Sequence, residues 1–162
     1  MKKGFTLIET FVAVSILLIS LAGPLSIAAQ ALKSAYYARD EITAFYLAQE
    51  GLEFVRATRD QNYLASRSWL TGVDDCIGAS CQVDFPNFTH SVCQNNVCSA
   101  LLIDQDGLFN AQSGTPSIFT RVLSLQAISG VPDEMILNVR VSWVSAGINR
   151  TFQLSEHLFN WL

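Results

Sequence analysis

The chain has 162 residues, enough for one core of the usual roughly 100–200 residues plus an appendage and too few for two independent domains. Half of the residues are hydrophobic, and 10 Lys and Arg stand against 14 Asp and Glu for a net charge of −4. Lys2 and Lys3 precede everything else, and without them the balance is 8 against 14, or −6, which gives no electrostatic footprint for nucleic acid.

The apolar residues are gathered at the start. After Glu9 the next charged side chain is Lys33, and residues 10–32 contain no Asp, Glu, Lys, Arg or His. About 20 apolar residues at roughly 1.5 Å each span a hydrocarbon core of about 30 Å. The lysines before the run keep residues 1–3 on the cytoplasmic side and send the bulk of the chain across. A secretory signal is one reading, since Ala29-Gln30-Ala31 has the small residues of a leader-peptidase site and Gly23-Pro24 precedes it. Its apolar region would usually be about 7–15 residues long and uncharged, whereas this run is longer and carries Glu9 at its start.

A carboxylate within a bilayer helix costs up to roughly 2.5–3.5 kcal/mol at the centre, less near the interface, and such groups generally pair with something. No cation lies within two helical turns after Glu9, which leaves Lys2, Lys3 or a new α-amino group made by cutting the chain. A cut between Gly4 and Phe5 would put an amine at the positive end of a helix, one turn from Glu9. Within the run, Pro24 removes an intrahelical hydrogen bond and Gly23 lowers helix propensity, so the pair predicts a kink or a melted turn.

The stretch Lys3-Gly4-Phe5-Thr6-Leu7-Ile8-Glu9 resembles the prepilin signature of type IV pilins and type II secretion pseudopilins: a short basic leader ending in Gly, Phe first in the mature chain and Glu fifth. The resemblance covers residues 1–30. It implies cleavage after Gly4 by a prepilin peptidase that also N-methylates Phe5, and a pairing of Glu9 with the Phe5 amine of a neighbouring subunit during assembly. It implies partners in other pilin subunits, an assembly platform and the membrane, and a local unwinding near Gly23-Pro24 as helices pack. Its expected location is a single-pass inner-membrane precursor with an exported head, then a surface pilus or periplasmic pseudopilus.

Residues 33–60 continue in helical rhythm. Leu32, Ala35, Ala38, Ile42, Phe45, Ala48, Leu52 and Val55 recur at three or four, opposite Lys33, Asp40, Glu41, Glu50 and Glu53, so an amphipathic helix lying on a soluble core is predicted. Gly51 is a defect of about 1 kcal/mol within it. Residues 61–116 lack a regular pattern and read as a long loop region. Cys76, Cys81, Cys93 and Cys98 fall there, as two Cys-x4-Cys pairs. In an exported domain they read as two disulfides rather than zinc ligands, with three pairings open. Asp104-Gln105-Asp106-Gly107 begins like a calcium loop, but no Glu stands at the twelfth position, so a turn is the main reading and Asp104 with Asp106 a minor calcium candidate. No other cofactor is indicated. Asp74 and Asp75 are adjacent without a partner motif, and neither His90 nor His157 has a catalytic motif around it.

Residues 117–162 regain order. Leu137, Val139, Val141 and Trp143 alternate with polar residues, Ala146-Gly147 supplies a turn, Phe152 and Leu154 alternate after it, and residues 117–126 form a third strand. A greasy helix stripe and a greasy sheet face bury each other, so the fold class is α+β, with residues 1–4 as leader and 5–32 as the assembly half of the helix. The resemblance implies the same head. The expected function is non-enzymatic: a filament subunit, inclining to a minor pilin by its long loop region. A membrane-tethered binding protein or adhesin and a secreted enzyme cleaved near Ala31 are the alternatives.

Overall fold

A computed structural model describes residue 4 and residues 6–160. Lys2, Lys3 and Phe5, to which the cleavage and methylation expectations attach, lie outside the described residues. The described layout is α+β: one long N-terminal helix and a C-terminal antiparallel sheet, with a second small sheet.

Helix α1 (Leu7–Leu64) opens at Thr6, whose hydroxyl lies 3.4 Å from the Glu9 amide and whose carbonyl accepts from the amides of Glu9 and Thr10. It ends where Ser66 takes a positive φ of 52° and the Arg67 amide donates back to the Asn62 carbonyl at 2.9 Å. Asn62 itself is buried and donates to the carbonyls of Trp69 and Thr71, which fixes the chain reversal after the helix. Four more residues are therefore helical than the predicted boundary at 60.

The chain divides into two compact units within α1, one reaching to Arg39 and one starting at Asp40. In the first unit the apolar side chains of the helix are open to the surroundings, as at Leu7, Phe11, Ile19 and Ile27. The helix continues unbroken through Gly23 and Pro24, so the turn predicted to melt there is helical in the single chain.

In the second unit, the head, α1 buries Ala44, Leu47, Ala48, Gly51, Leu52 and Val55, a stripe at spacings of three and four. Ala48, Leu52 and Val55 belong to the predicted stripe, whereas Ile42 remains 56% exposed. The stripe is rotated relative to the prediction because small residues at Ala44 and Gly51 let the sheet approach. A Cβ on Gly51 would lie 2.9 Å from Val139 Cγ1 and 3.4 Å from Arg121 Cδ, so a position that costs helix propensity is one where sheet and helix touch closely.

That sheet has the order β2-β1-β6-β7-β8, antiparallel throughout, from β1 (Cys81–Asp84), β2 (Thr89–Val92), β6 (Thr120–Ile128), β7 (Val131–Ser145) and β8 (Ile148–Phe159). The period-two pattern places Leu123 and Leu125 of β6 and Leu137, Val139, Val141 and Trp143 of β7 on one face, all buried. The other face is polar, with Ser124, Asn138, Gln153 and Ser155 side by side. Ser155 donates to Asn138 there at 2.7 Å. Ala146 and Gly147, both at positive φ, turn β7 into β8, the backbone of a type I′ hairpin. The small sheet orders β4-β3-β5, from β3 (Leu102–Ile103), β4 (Phe109–Asn110) and β5 (Thr115–Pro116). Residues 61–116, read from sequence as irregular, thus supply five short strands, and two of them extend the main sheet.

Candidate functional site

The residues singled out by the sequence fall into an N-terminal set and a head set. In the N-terminal set, Glu9 occupies the first turn of α1, exposed, at the end where the helix dipole favours a negative charge. The run that follows is long and apolar enough to cross a membrane, with a mean hydropathy of 2.3 over an 18-residue window of which none is buried. Its few hydroxyls satisfy themselves. Thr10, Ser15, Ser20 and Ser26 each donate at 2.8 Å to the carbonyl three or four residues earlier, which leaves no hydroxyl hydrogen seeking water. Pro24 has no amide to offer the Ser20 carbonyl, so the ladder is short of one donor in mid-run.

In the head, the cysteines pair locally, Cys76 with Cys81 and Cys93 with Cys98, which resolves the three pairings open to sequence. The two bridges bracket the β1–β2 hairpin. The first ties the 3-10 turn Asp74–Cys76 to the start of β1, and the second closes the loop that leaves β2. The loops interlock, since the Cys93 amide donates to the Ser80 carbonyl at 2.8 Å and the Ser80 amide to Asn96 Oδ1 at 3.0 Å. Asp75, Cys76 and Cys81 stand close enough to suggest a metal cluster, but the two sulfurs are bonded to each other and are not thiolates.

Asp104 and Asp106 lie in the turn from β3 to β4. Asp104 Oδ1 accepts from the amides of Asp106 and Leu108, both at 2.9 Å, and its own amide donates to the Leu108 carbonyl, so its carboxylate shapes the turn. Among the described residues no third carboxylate, His or Cys joins these two aspartates.

Sequence reasoning missed the polar centre of the head. Arg121, fully buried, donates to the carbonyl of Leu47 on α1 at 3.0 Å, to Glu50 Oε2 at 2.5 Å and to the carbonyl of Val83 on β1 at 2.8 Å. One guanidinium thereby joins helix, β6 and the cysteine-stapled hairpin. Burial lowers its pKa, opposed by the charges of Glu50 and Asp84. Asp84, also buried, accepts from Asn87 and from the amide of Ala111, and so holds the β1–β2 turn against the segment after β4. Glu50, placed on the solvent face by the helical pattern, therefore turns toward Arg121 and is only partly exposed, and Asp40, placed on that same face, is buried. The signal for Arg121 was present in its parity: it alternates with Leu123 and Leu125 and so had to face inward.

Two further pairs join separate segments. Arg56 of α1 meets Glu156 of β8 at 3.0 and 2.5 Å and also Glu53, and the Glu156 hydrogen bond raises the Arg56 pKa against the opposing effect of burial. His90 Nε2 lies 2.8 Å from Asp75, although neither residue carried a motif. An open groove of about 610 Å³ runs between α1 and the two hairpin turns, lined by Tyr46, Leu47, Phe85, Pro86 and Leu108. Its one charged wall is Glu50, already engaged by Arg121. Comparison with protein-family models, with curated proteins and with solved structures returns no match for this chain.

Proposed function

We propose that the chain is a structural subunit of a type IV pilus or pseudopilus-like filament, inserted as a precursor, cut after Gly4, methylated on Phe5 and assembled through its apolar helix. The observation that carries this reading is the first turn of α1: a single carboxylate, Glu9, exposed at the head of a charge-free run in which every hydroxyl is bonded to its own helix. A helix built for permanent residence in lipid has no use for that charge, whereas a helix that must recognise the terminus of a neighbour does. The Cys-stapled hairpin and the α+β head are the expected exported part.

N-terminal sequencing and intact mass of the membrane-extracted protein test the processing: the chain starts at methylated Phe5. A start at Leu32 indicates secretion, and an uncut chain indicates a plain anchor. Sheared-fibre recovery tests the assembly step. Glu9→Gln is expected to reduce fibre at least roughly tenfold, the equivalent of about 1.4 kcal/mol at the docking step, with precursor level and cleavage unchanged. Normal fibre yield from that variant ends the proposal.

A further inference from the structure

The main sheet of the head has two outer strands of very different length. Strand β2 has four residues, whereas β8 has twelve and follows β7 from Ile148 to Phe159 without a register shift. Because β8 has a neighbour on one side only, alternate residues turn their N–H and C=O groups away from β7. Among the described residues, no main-chain bond from another segment reaches these groups between Ile148 and Leu158. Open edges are usually blunted by Pro, Lys, a bulge or shortness, and β8 has none of these. It carries instead two fixed charges of opposite sign, Arg150 and Glu156.

The side chains of β8 complement one another about Gln153. When the strand is laid antiparallel against a copy of itself with Gln153 opposite Gln153, Arg150 faces Glu156, Phe152 faces Leu154 and Thr151 faces Ser155, each pair occurring twice. Cation meets anion, apolar meets apolar and hydroxyl meets hydroxyl, the cross-strand pairs that stabilise a sheet. Opposed residues have the same parity, so side chains on the α1 side meet side chains on the α1 side, and outward N–H groups meet outward C=O groups. A slip of two residues sets Arg150 against Leu154 or Leu158 and Glu156 against Ile148 or Phe152, so the charges select one register. Glu53 and Glu156 both bind Arg56, which leaves that cluster with one carboxylate in excess, and Arg150 of a second copy meets it. Asp40 and Glu41 of α1, at the Arg150 end of the strand, meet a cluster that already holds Arg56.

We infer that the outer edge of β8 is a pairing surface for β8 of a second copy of this chain, joining two five-stranded sheets into one of ten strands across a two-fold axis at Gln153. The helices leave room for it. Gly51 on Val139 places α1 over β7, and the two β7 strands of the joined sheet stand three strand spacings apart, about 14 Å, whereas packed helices need about 8–10 Å. The pairing requires nothing from the filament proposal. Within that proposal it is a tie between separate filaments, because the two heads run their α1 segments in opposite directions and the subunits of one filament are co-aligned.

The test uses two differently tagged full-length chains in mild detergent, one with Thr151→Cys and one with Ser155→Cys, mixed and oxidised. All four native cysteines are in disulfides, so each chain offers one thiol. Opposed residues stand about 4.5–5.5 Å apart at Cβ, whereas two Thr151 positions are four residues out of register, about 13 Å. The mixed disulfide is expected to exceed either like-chain dimer at least about fivefold. Adding Gln153→Lys to both chains sets two ammonium groups face to face at the axis, and since Gln153 is exposed the fold is kept while the mixed product falls about fivefold. Val131→Cys, exposed but off β8, is expected to give no dimer. Absence of the mixed disulfide overturns the inference. Equal yields of mixed and like-chain dimers also overturn it, as association through the apolar run alone would bring chains together without selecting a register, and so does a mixed product indifferent to Gln153→Lys. The processed N-terminus and the fibre yield are read separately, so either proposal can fail without the other.

Discussion

The Glu50–Arg121 pair makes the sharpest prediction about what holds the head together. Glu50→Ala leaves a fully buried guanidinium with two backbone carbonyls, no bonded carboxylate and only the charge of Asp84 nearby. Breaking a buried pair from one side costs about 3–5 kcal/mol. The Glu50 side chain is 25% exposed, so water can replace part of what is lost, and about 2–3 kcal/mol is the expected destabilisation. Arg121→Met removes the charge itself and fills similar volume, but it takes a donor from the carbonyls of Leu47 and Val83, at about 1–3 kcal/mol for each acceptor left dry. The double variant should cost less than the sum of the singles by about 1–2 kcal/mol, because Glu50 has no charge to meet once Arg121 is gone. Denaturant unfolding of the full chain in mild detergent, followed by tryptophan fluorescence, measures all three. Additivity within about 0.5 kcal/mol would refute the claim that the carboxylate compensates the buried charge. The pKa of Arg121 is lowered in the fold, so the native state binds its proton less tightly and stability gains from it only in the alkaline range where the guanidinium titrates. The cost of burying it is accordingly constant through neutral pH.

Gly51→Ala should lose stability despite a gain of about 1 kcal/mol in helix propensity, because the new methyl would sit 2.9 Å from Val139 Cγ1 and overpacking costs about 1–3 kcal/mol; a higher melting temperature would show that the sheet can retreat. The two disulfides should differ in access. Cys76 and Cys81 are wholly buried whereas Cys93 is 9% exposed, so mild reductant followed by alkylation and peptide mass analysis should mark Cys93 and Cys98 first. Deleting either bridge should cost about 2 kcal/mol, the loop-closure value for so short a ring. Ala146→Asn should stabilise the head by about 0.5–1 kcal/mol in the same unfolding assay, since Ala146 has a φ of +50° at a hairpin position that favours Asn before Gly.

Legibility in the sequence followed pattern length. Strand β7 alternates from Leu137 to Trp143 and the apolar run extends over more than twenty residues, so both could be read, as could the Ala146-Gly147 turn between β7 and β8. Strand β1 could not: Cys81 and Val83 alternate with Gln82 and Asp84, but four residues are too short a pattern to stand out, and β3 to β5 have two residues each, below any period. The helix stripe was misplaced because hydrophobicity alone ranks Ile42 above Gly51. The sheet instead packs on the side where Gly51 leaves room for Val139 and Arg121, and Asp40 and Glu50 turn inward with it. The disulfide pairing lay beyond the sequence because it depends on the hairpin that brings Ser80 beside Cys93.

The exposed apolar run constrains how the proposed filament can form. In water, each of its large side chains would gain about 1.5–3 kcal/mol on burial, so the helix needs cover at every stage. Lipid provides that cover as well as a neighbouring helix does, since acyl chains are as apolar as leucine. Moving from bilayer to bundle is therefore nearly neutral in apolar burial, and the hydrophobic effect that forces insertion cannot also drive extraction. Something present in the bundle and absent from lipid has to decide the direction. Among residues 6–32 the one group whose free energy differs strongly between those surroundings is the Glu9 carboxylate, costly beside acyl chains and favourable beside a cation. That is why the filament reading stands or falls on this side chain and not on the residues that make the run greasy.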